Sequence, residues 1–293
     1  MKDYSLVDDD LIRKIVKPRD IFSRKGDNGI ALVVGGSRIY HGAPLLSSLA
    51  ALRSGTDLVY TAIPKINLIS SRIFSPDLII LPFPDDKLTT GSVRRLLNTL
   101  PKKIDAAAIG MGLNVSKSQP LILLIQKLLK DESHLIIDAG ALIPDILPDI
   151  SNNETIVTPH AGEFKRLFGD SPTNKLSEQI ELVSRKAKEF GLIIVLKGHQ
   201  NIVSDGEETF VIERTTPSMT VGGTGDILSG LITGFRTKYG SVHSCLLGLF
   251  FNGQAALRLS NKIGFHMLAS DLLTELAYVM KEYDTLKSLT DES

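Results

Sequence analysis

The run Val221-Gly222-Gly223-Thr224-Gly225-Asp226 sets three glycines and a threonine directly before an apolar segment and ends on a carboxylate. Ile227, Leu228, Leu231, Ile232 and Phe235 recur at helical spacing, so the glycines form a loop that feeds a helix N-terminus. Such a loop aims free backbone N–H groups at one point, and the helix dipole adds partial positive charge there. An anion fits that place. The carboxylate of Asp226 disfavours plain anion binding but suits a base acting on a nearby hydroxyl. The combination points to phosphoryl transfer. Gly222, Gly223, Thr224 and Gly225 would stabilise charge on the moving group, while Asp226 orients or deprotonates the acceptor. Asp is also a common N-cap and glycine a common loop residue, so the run taken alone fits an ordinary helix entry as well.

Other polar and glycine residues follow short apolar runs at regular intervals. Gly35-Gly36-Ser37 follows Ile30 to Val34, and Gly42-Ala43-Pro44 then opens a helix. Gly110-Met111-Gly112 follows Ala106 to Ile109, and Asp138-Ala139-Gly140 follows Leu135 to Ile137. Thr158-Pro159-His160 follows Thr155 to Val157, and Lys197-Gly198 follows Leu192 to Leu196. His160 suits hydrogen bonding to a substrate amide or phosphate, acid–base work, or the plain capping of a helix. Lys197 suits a nucleotide phosphate as a point charge, or simply solvent at the edge of the core. Asp138 suits Mg²⁺ or hydroxyl binding, or turn formation. His160 with Glu163 lacks the second histidine or cysteine cluster that a zinc site requires, and no metal ligand set is assigned. The glycine segments match neither the phosphate loop that ends in Gly-Lys-Ser/Thr nor the Gly-x-Gly-x-x-Gly fingerprint.

The elements that must position these residues follow from periodicity. Strand-length apolar runs are expected at Ile30 to Val34, Leu58 to Ala62, Leu78 to Leu81, Ala106 to Ile109, Leu135 to Ile137, Thr155 to Val157 and Leu192 to Leu196. Helices are expected between them at Ala43 to Arg53, Val93 to Leu100, Leu121 to Leu129 and Leu176 to Phe190. Beyond Gly225 only helices are expected, at Ile227 to Lys238, His243 to Ser260 and Met267 to Lys281. Strands apolar on both faces and alternating with helices imply a mostly parallel sheet covered on both sides, in a single α/β domain. In such sheets the ligand crevice lies outside the C-terminal strand ends, which is where the polar set falls.

Composition excludes several classes. The chain has 293 residues, 43% hydrophobic and 23% charged, with Lys+Arg and Asp+Glu both 33. A formal net charge of zero argues against nucleic acid or an anionic membrane as the main partner. No apolar run is long enough to span a bilayer and the polar start lacks a signal-peptide core, so a cytoplasmic protein is expected. The single cysteine, Cys245, lies in an apolar run; it excludes an internal disulfide and reads as a buried small hydrophobe.

Taken together, these segments resemble the ADP-dependent NAD(P)H-hydrate dehydratase family, whose fold is ribokinase-like. The resemblance is carried by Lys25-Gly26-Asp27-Asn28-Gly29, by Val33-Val34-Gly35-Gly36-Ser37 with Tyr40-His41-Gly42-Ala43-Pro44, and by Ala50-Ala51-Leu52-Arg53-Ser54-Gly55. It continues in Gly110-Met111-Gly112-Leu113, Thr158-Pro159-His160-Ala161-Gly162-Glu163, Leu196-Lys197-Gly198 and Gly222 to Asp226. The last motif is shared with other ribokinase-like kinases, whereas the Gly-Gly-Ser and Thr-Pro-His segments are more selective. The resemblance implies repair of the S epimer of hydrated NADH and NADPH. ADP, or ATP in some relatives, would phosphorylate the ring hydroxyl with Mg²⁺ shielding the phosphates, and phosphate would then leave. It further implies that Asp226 is the base, that Ala43, Gly112 and His160 contact the hydrated dinucleotide, and that Lys197, Gly198, His199, Gln200, Asn201 and Gly225 hold the adenine nucleotide. A homo-oligomer such as a tetramer is also implied.

Two positions depart from the family pattern. Gly140 stands where the family has a second Asp of Asp-Ala-Asp-Ala-Leu, and Ala161 replaces the proline of His-Pro-Gly-Glu. The dehydratase-like part is expected over residues 25–283, with an N-terminal extension before it, a polar tail at 284–293, and no room for the fused epimerase of many relatives. A small-molecule kinase of the same superfold, acting on a hydroxymethylpyrimidine, thiazole alcohol or sugar, and a non-catalytic nucleotide-binding module are the competing readings.

Overall fold

The computed structural model describes residues 4–287. Residues 1–3 of the expected extension and 288–293 of the expected tail lie outside the described residues. Ten strands form one sheet: β1 (Ser5–Leu6), β2 (Ile30–Val34), β3 (Leu58–Pro64), β4 (Ile79–Phe83), β5 (Ala106–Ile109), β6 (His134–Ile137), β7 (Ile156–Val157), β8 (Ile193–Leu196), β9 (Gln200–Ser204) and β10 (Thr209–Glu213). The helices are α1 (Asp9–Ile15), α2 (Ala43–Arg53), α3 (Leu68–Phe74), α4 (Thr90–Leu97), α5 (Ser118–Lys130), α6 (Leu147–Ile150), α7 (Ala161–Phe168), α8 (Leu176–Phe190), α9 (Thr224–Arg236), α10 (Ser241–Ile263) and α11 (Ala269–Met280).

The strand order is β1-β10-β9-β8-β7-β6-β5-β2-β3-β4, and every pairing from β4 across to β8 is parallel. Alternate residues feed two cores. Ala31 and Val33 of β2 pack with α2, α9, α10 and α11, whereas Leu32 and Val34 pack with α4, α5, α7 and α8. Burial on both faces is why these strands are apolar throughout, as a parallel sheet requires. The chain order reverses between β2 and β5, which makes their C-terminal ends a topological switch point and opens a crevice there.

The seven expected strands and the expected helices are all present, two strands and two helices with the expected ends and the rest with shifted ones. Three further strands complete the sheet. β9 and β10 form an antiparallel hairpin around Asp205 and Gly206, and β1 adds to its outer edge, so residues ahead of Lys25 join the same sheet. α9 also begins at Thr224 rather than Ile227, which brings Asp226 into the first helical turn. Among the described residues no helix is long and apolar enough to cross a membrane. Cys245 is free and wholly buried in α10, and burial pushes its thiol pKa up, away from reactivity.

Candidate active site

Gly223 starts α9 in the left-handed region, at φ 101°, a conformation that glycine adopts without the Cβ penalty. The Thr224 hydroxyl donates back to the Met219 carbonyl at 2.9 Å and pins the entry loop. N–H groups of the first helical turn, at Gly225 and Asp226, have no intrahelical acceptor by construction. The helix itself is held close to α2. A Cβ on Gly230 would stand 2.0 Å from the Ser47 carbonyl oxygen, and one on Gly234 would stand 2.0 Å from Ser54 Oγ. Bare glycines, one turn apart, therefore fix the distance between the loop helix and the helix that begins at Ala43.

Asp226 shares its surroundings with Asp138, Lys197 and Glu163. Lys197 Nζ donates to Asp138 Oδ1 at 2.8 Å and lies 3.7 Å from Glu163 Oε2. Burial pushes the Asp226 pKa up to about 7, the charges of Asp138 and Glu163 add to that, and Lys197 opposes it. Asp138 goes the other way. Its burial also favours the protonated form, but the Lys197 charge and hydrogen bonds from Lys197 and Ser229 outweigh that and hold its pKa below the usual carboxylate value. Lys197 keeps its proton for the same reason: burial disfavours it, yet Asp138, Glu163 and Asp226 raise its pKa. Two carboxylates within one cluster thus take opposite protonation behaviour, an arrangement suited to a base poised near neutrality.

His160 caps α7. Its Nδ1 accepts from the Gly162 and Glu163 N–H groups at 3.0 and 3.3 Å, and its backbone N–H donates to Glu163 Oε2 at 2.9 Å. The capping reading of this residue is realised, and because Nδ1 is an acceptor, Nε2 carries the ring proton of the neutral form. Nε2 stands 3.5 Å from Glu163 Oε1 on an exposed side chain. Ala43 and Gly112 come together across the switch point. A Cβ on Gly112 would lie 3.2 Å from that of Ala43 and 2.7 Å from the Tyr40 carbonyl oxygen.

Two cavities flank the loop. One, of about 210 Å³, is lined by Lys197, Gly198, Asn201, Thr224 and Gly225 together with Glu213, Arg214 and Asn252. The Gly198 N–H donates to Asn201 Oδ1 at 3.2 Å, closing the turn between β8 and β9. His199 and Gln200 are in that turn and the start of β9 but do not line the cavity. The other, of about 380 Å³, is lined by Gly222 and Val221 with His41, Gly42, Leu45, Ser70, Phe74 and Ala269. A larger cavity of about 600 Å³ opens beside Arg19, Gly55, Lys238 and Tyr283, away from this loop.

The second carboxylate expected at position 140 from the resemblance has no place here. A Cβ at Gly140 would fall 2.1 Å from the Leu113 carbonyl oxygen, and Arg166 straps the turn by donating to the Ala139 and Leu142 carbonyls at 2.6 and 2.7 Å. Sequence reading misses Ser229, Glu213, Arg214 and Asn252. A polar Asn252 amid the apolar residues of α10 is a usable signal, and the Asp205-Gly206 turn announces the hairpin that brings Glu213 and Arg214 in. Ser229 carries no signal of its own.

A family model described as NAD(P)H-hydrate dehydratase matches residues 31–277. The ADP-dependent (S)-NAD(P)H-hydrate dehydratase of Nitrosopumilus maritimus is 52% identical over 277 residues, 94% of this chain and 96% of its own length. The protein of the same name from Cenarchaeum symbiosum is 47% identical over 283 residues, 96% of this chain and 99% of its own length. The crystal structure of the ADP/ATP-dependent NAD(P)H-hydrate dehydratase from Bacillus subtilis, co-crystallised with ATP/Mg²⁺, superposes with a TM-score of 0.82 at 25% identity, covering 97% of this chain and all of that one.

Proposed function

The chain belongs to the NAD(P)H-hydrate dehydratase family, and from that premise we propose how its site performs ADP-dependent dehydration of (S)-NAD(P)H-hydrate. The observation that carries the reading is the placement of Asp226 in the first turn of α9, directly after a loop whose Val221 and Gly222 line one cavity and whose Thr224 and Gly225 line the other, beside N–H groups free to bind phosphate. The 210 Å³ cavity takes the adenine nucleotide, with Lys197, Gly198, Asn201 and Gly225 around its phosphates. The hydrated ring approaches from the side where Ala43 and Gly112 meet, with His160 as a further contact.

Asp226 removes the proton from the hydroxyl at C6 of the ring, and that oxygen attacks the terminal phosphorus of ADP. The bond from phosphorus to the bridging oxygen breaks, AMP departs, and charge on the transferring group is met by Lys197 and the loop N–H groups. Phosphate then leaves with the C6–O bonding pair while C5 loses a proton, restoring the double bond. Hydroxide is a poor leaving group and phosphate a good one, which is what the nucleotide is consumed to achieve. The net change is hydrated NADH plus ADP to NADH, AMP and phosphate.

Mg²⁺ accompanies ATP in the Bacillus subtilis crystals. Among the described residues no group of three or more His, Cys, Asp or Glu side chains is placed to hold a metal ion. Asp138 is occupied by Lys197 and Ser229, so these residues do not form a Mg²⁺ cage. An ion carried in on the nucleotide's own phosphate oxygens is compatible with that, since Mg²⁺ often keeps most of its ligands from water and phosphate.

Incubation with hydrated NADH, Mg²⁺ and either ADP or ATP tests the reading. Recovery of reduced-nicotinamide absorbance is expected with a nucleotide present. No recovery with either nucleotide contradicts it and favours a small-molecule kinase of the same fold.

A further inference from the structure

Asp138 directly follows β6 at 1% exposure, and both of its carboxylate oxygens are in use. Oδ1 accepts from Lys197 Nζ at 2.8 Å, and Oδ2 accepts from the Ser229 hydroxyl. Lys197 follows β8 and lines the nucleotide cavity; Ser229 stands about one helical turn beyond Asp226 on α9. A single buried carboxylate thus ties the cation of the donor pocket to the helix that carries the base. Turn formation does not account for it, because the Asp138 side chain makes no capping hydrogen bond to the helical turn that follows. Burying an ion pair costs desolvation that a turn residue would not have to meet.

We propose that Asp138 is a positioning residue for phosphoryl transfer, holding Lys197 and the base-bearing turn of α9 in one fixed arrangement. This rests on the reading of Asp226 as base and Lys197 as a nucleotide ligand. Three ionisable groups influence Asp226: Asp138 from the end of β6, Lys197 from the end of β8 and Glu163 from α7. With Lys197 tied to Asp138, the lysine's charge is largely compensated, and Asp226 retains its proton to a higher pH than it would beside a bare ammonium. The same clamp keeps the lysine from collapsing onto Asp226 in the absence of nucleotide.

The test reads Asp226 directly, by carboxyl-carbon NMR titration of the nucleotide-free protein, alongside steady-state kinetics. Asp138→Asn removes a negative charge and leaves Lys197 bare, so the Asp226 midpoint moves down by about 1 on the pH scale. Asp138→Asn with Lys197→Met removes opposite charges together, and the midpoint returns toward wild type. Ser229→Ala leaves the charges in place but frees the helix, so the midpoint stays while kcat falls about tenfold and the KM for hydrated NADH is little changed. A merely structural Asp138 would not move the titration in this charge-dependent pattern. An Asp226 midpoint in Asp138→Asn that superimposes on wild type overturns the proposal. So does a wild-type kcat in Ser229→Ala, which decides the matter if Asp138→Asn fails to fold. Should the wild-type protein show no repair activity, the titration arm still reports on the clamp, so failure of the dehydratase reading is distinguishable from failure of the inference.

Discussion

Lys197 Nζ lies 2.8 Å from Asp138 Oδ1 in a pair of which only the lysine is partly open to solvent, and this pair sets the electrostatics in which Asp226 works. The pair is close to neutral overall, so it does little to relieve the burial of a third ionisable group. Asp226 therefore holds its proton up to a pH of about 7. An ordinary aspartate releases it near ~3.9. A base must be ionised to act, so kcat/KM is expected to rise with pH through an acid limb near pH 7. A pH profile in the free enzyme's terms checks this, and a limb near pH 4 would remove the raised carboxylate from the mechanism.

Asp226→Asn separates chemistry from stability. Turnover should fall by at least ~10²-fold with nucleotide binding retained, since general-base contributions are of that order. Stability should move the opposite way, with a sign set by the raised pKa. Ionised Asp226 is disfavoured in the folded state, so the wild-type protein loses stability as pH rises from the unfolded value through about 7. The variant does not. A tenfold change in an ionisation constant between the unfolded and folded states corresponds to ~1.4 kcal/mol. At pH 8 the nucleotide-free variant should therefore be more stable by up to a few kcal/mol, and near pH 4 the difference should vanish. Thermal melts at the two pH values check it.

Lys197→Met should raise the KM for ADP and also destabilise the fold. It leaves Asp138 buried without its cation, and loss of one partner from a buried pair costs ~3–5 kcal/mol. The paired variant with Asp138→Asn should recover part of that stability without recovering nucleotide affinity. Denaturant unfolding and equilibrium binding of ADP measure the two effects independently.

The parallel core is legible because strands buried on two faces have no room for polar residues, and Ile30 to Val34 and Ala106 to Ile109 are found to the residue. The β9–β10 hairpin is harder to see, although its Asp205-Gly206 turn is visible. Its first residues, Gln200 and Asn201, come a short turn after Lys197 and are polar, so they read as nucleotide contacts before they read as a strand. β1 is two residues long and exists only through its pairing with β10, so no local pattern could reveal it. Within the site, Asp226, Lys197 and His160 are legible from type and position. Ser229 is not: a serine in an apolar helix is ordinary until the fold sets it against Asp138, 91 residues away.

Gly230→Ala should act through packing alone. The added methyl meets the Ser47 carbonyl, so α9 must withdraw from α2, and overpacking of this kind costs ~1–3 kcal/mol. Because α9 carries Asp226, kcat should fall as well, while nucleotide binding at the Lys197 end is affected less. A lowered melting temperature with unchanged kcat would show that the helix spacing does not matter to the chemistry.

Gly140→Asp introduces the carboxylate that the resemblance leads one to expect at this position, yet should not improve activity. Its Cβ collides with the Leu113 carbonyl, so the turn strapped by Arg166 must open. Loss of stability with no gain in kcat is expected from melts and initial rates. A faster enzyme would mean that the turn accommodates the side chain and that the missing carboxylate limits this chain.

Phosphorylation of the ring hydroxyl, followed by its expulsion as phosphate, is the step on which the rest depends. Hydrated NADH carrying an oxygen-isotope label in its C6 hydroxyl, turned over with unlabelled ADP, reports on this directly by mass spectrometry of the products. The label is expected in inorganic phosphate, with AMP and NADH formed in equal amounts. Label released into water, with unlabelled phosphate, would contradict it.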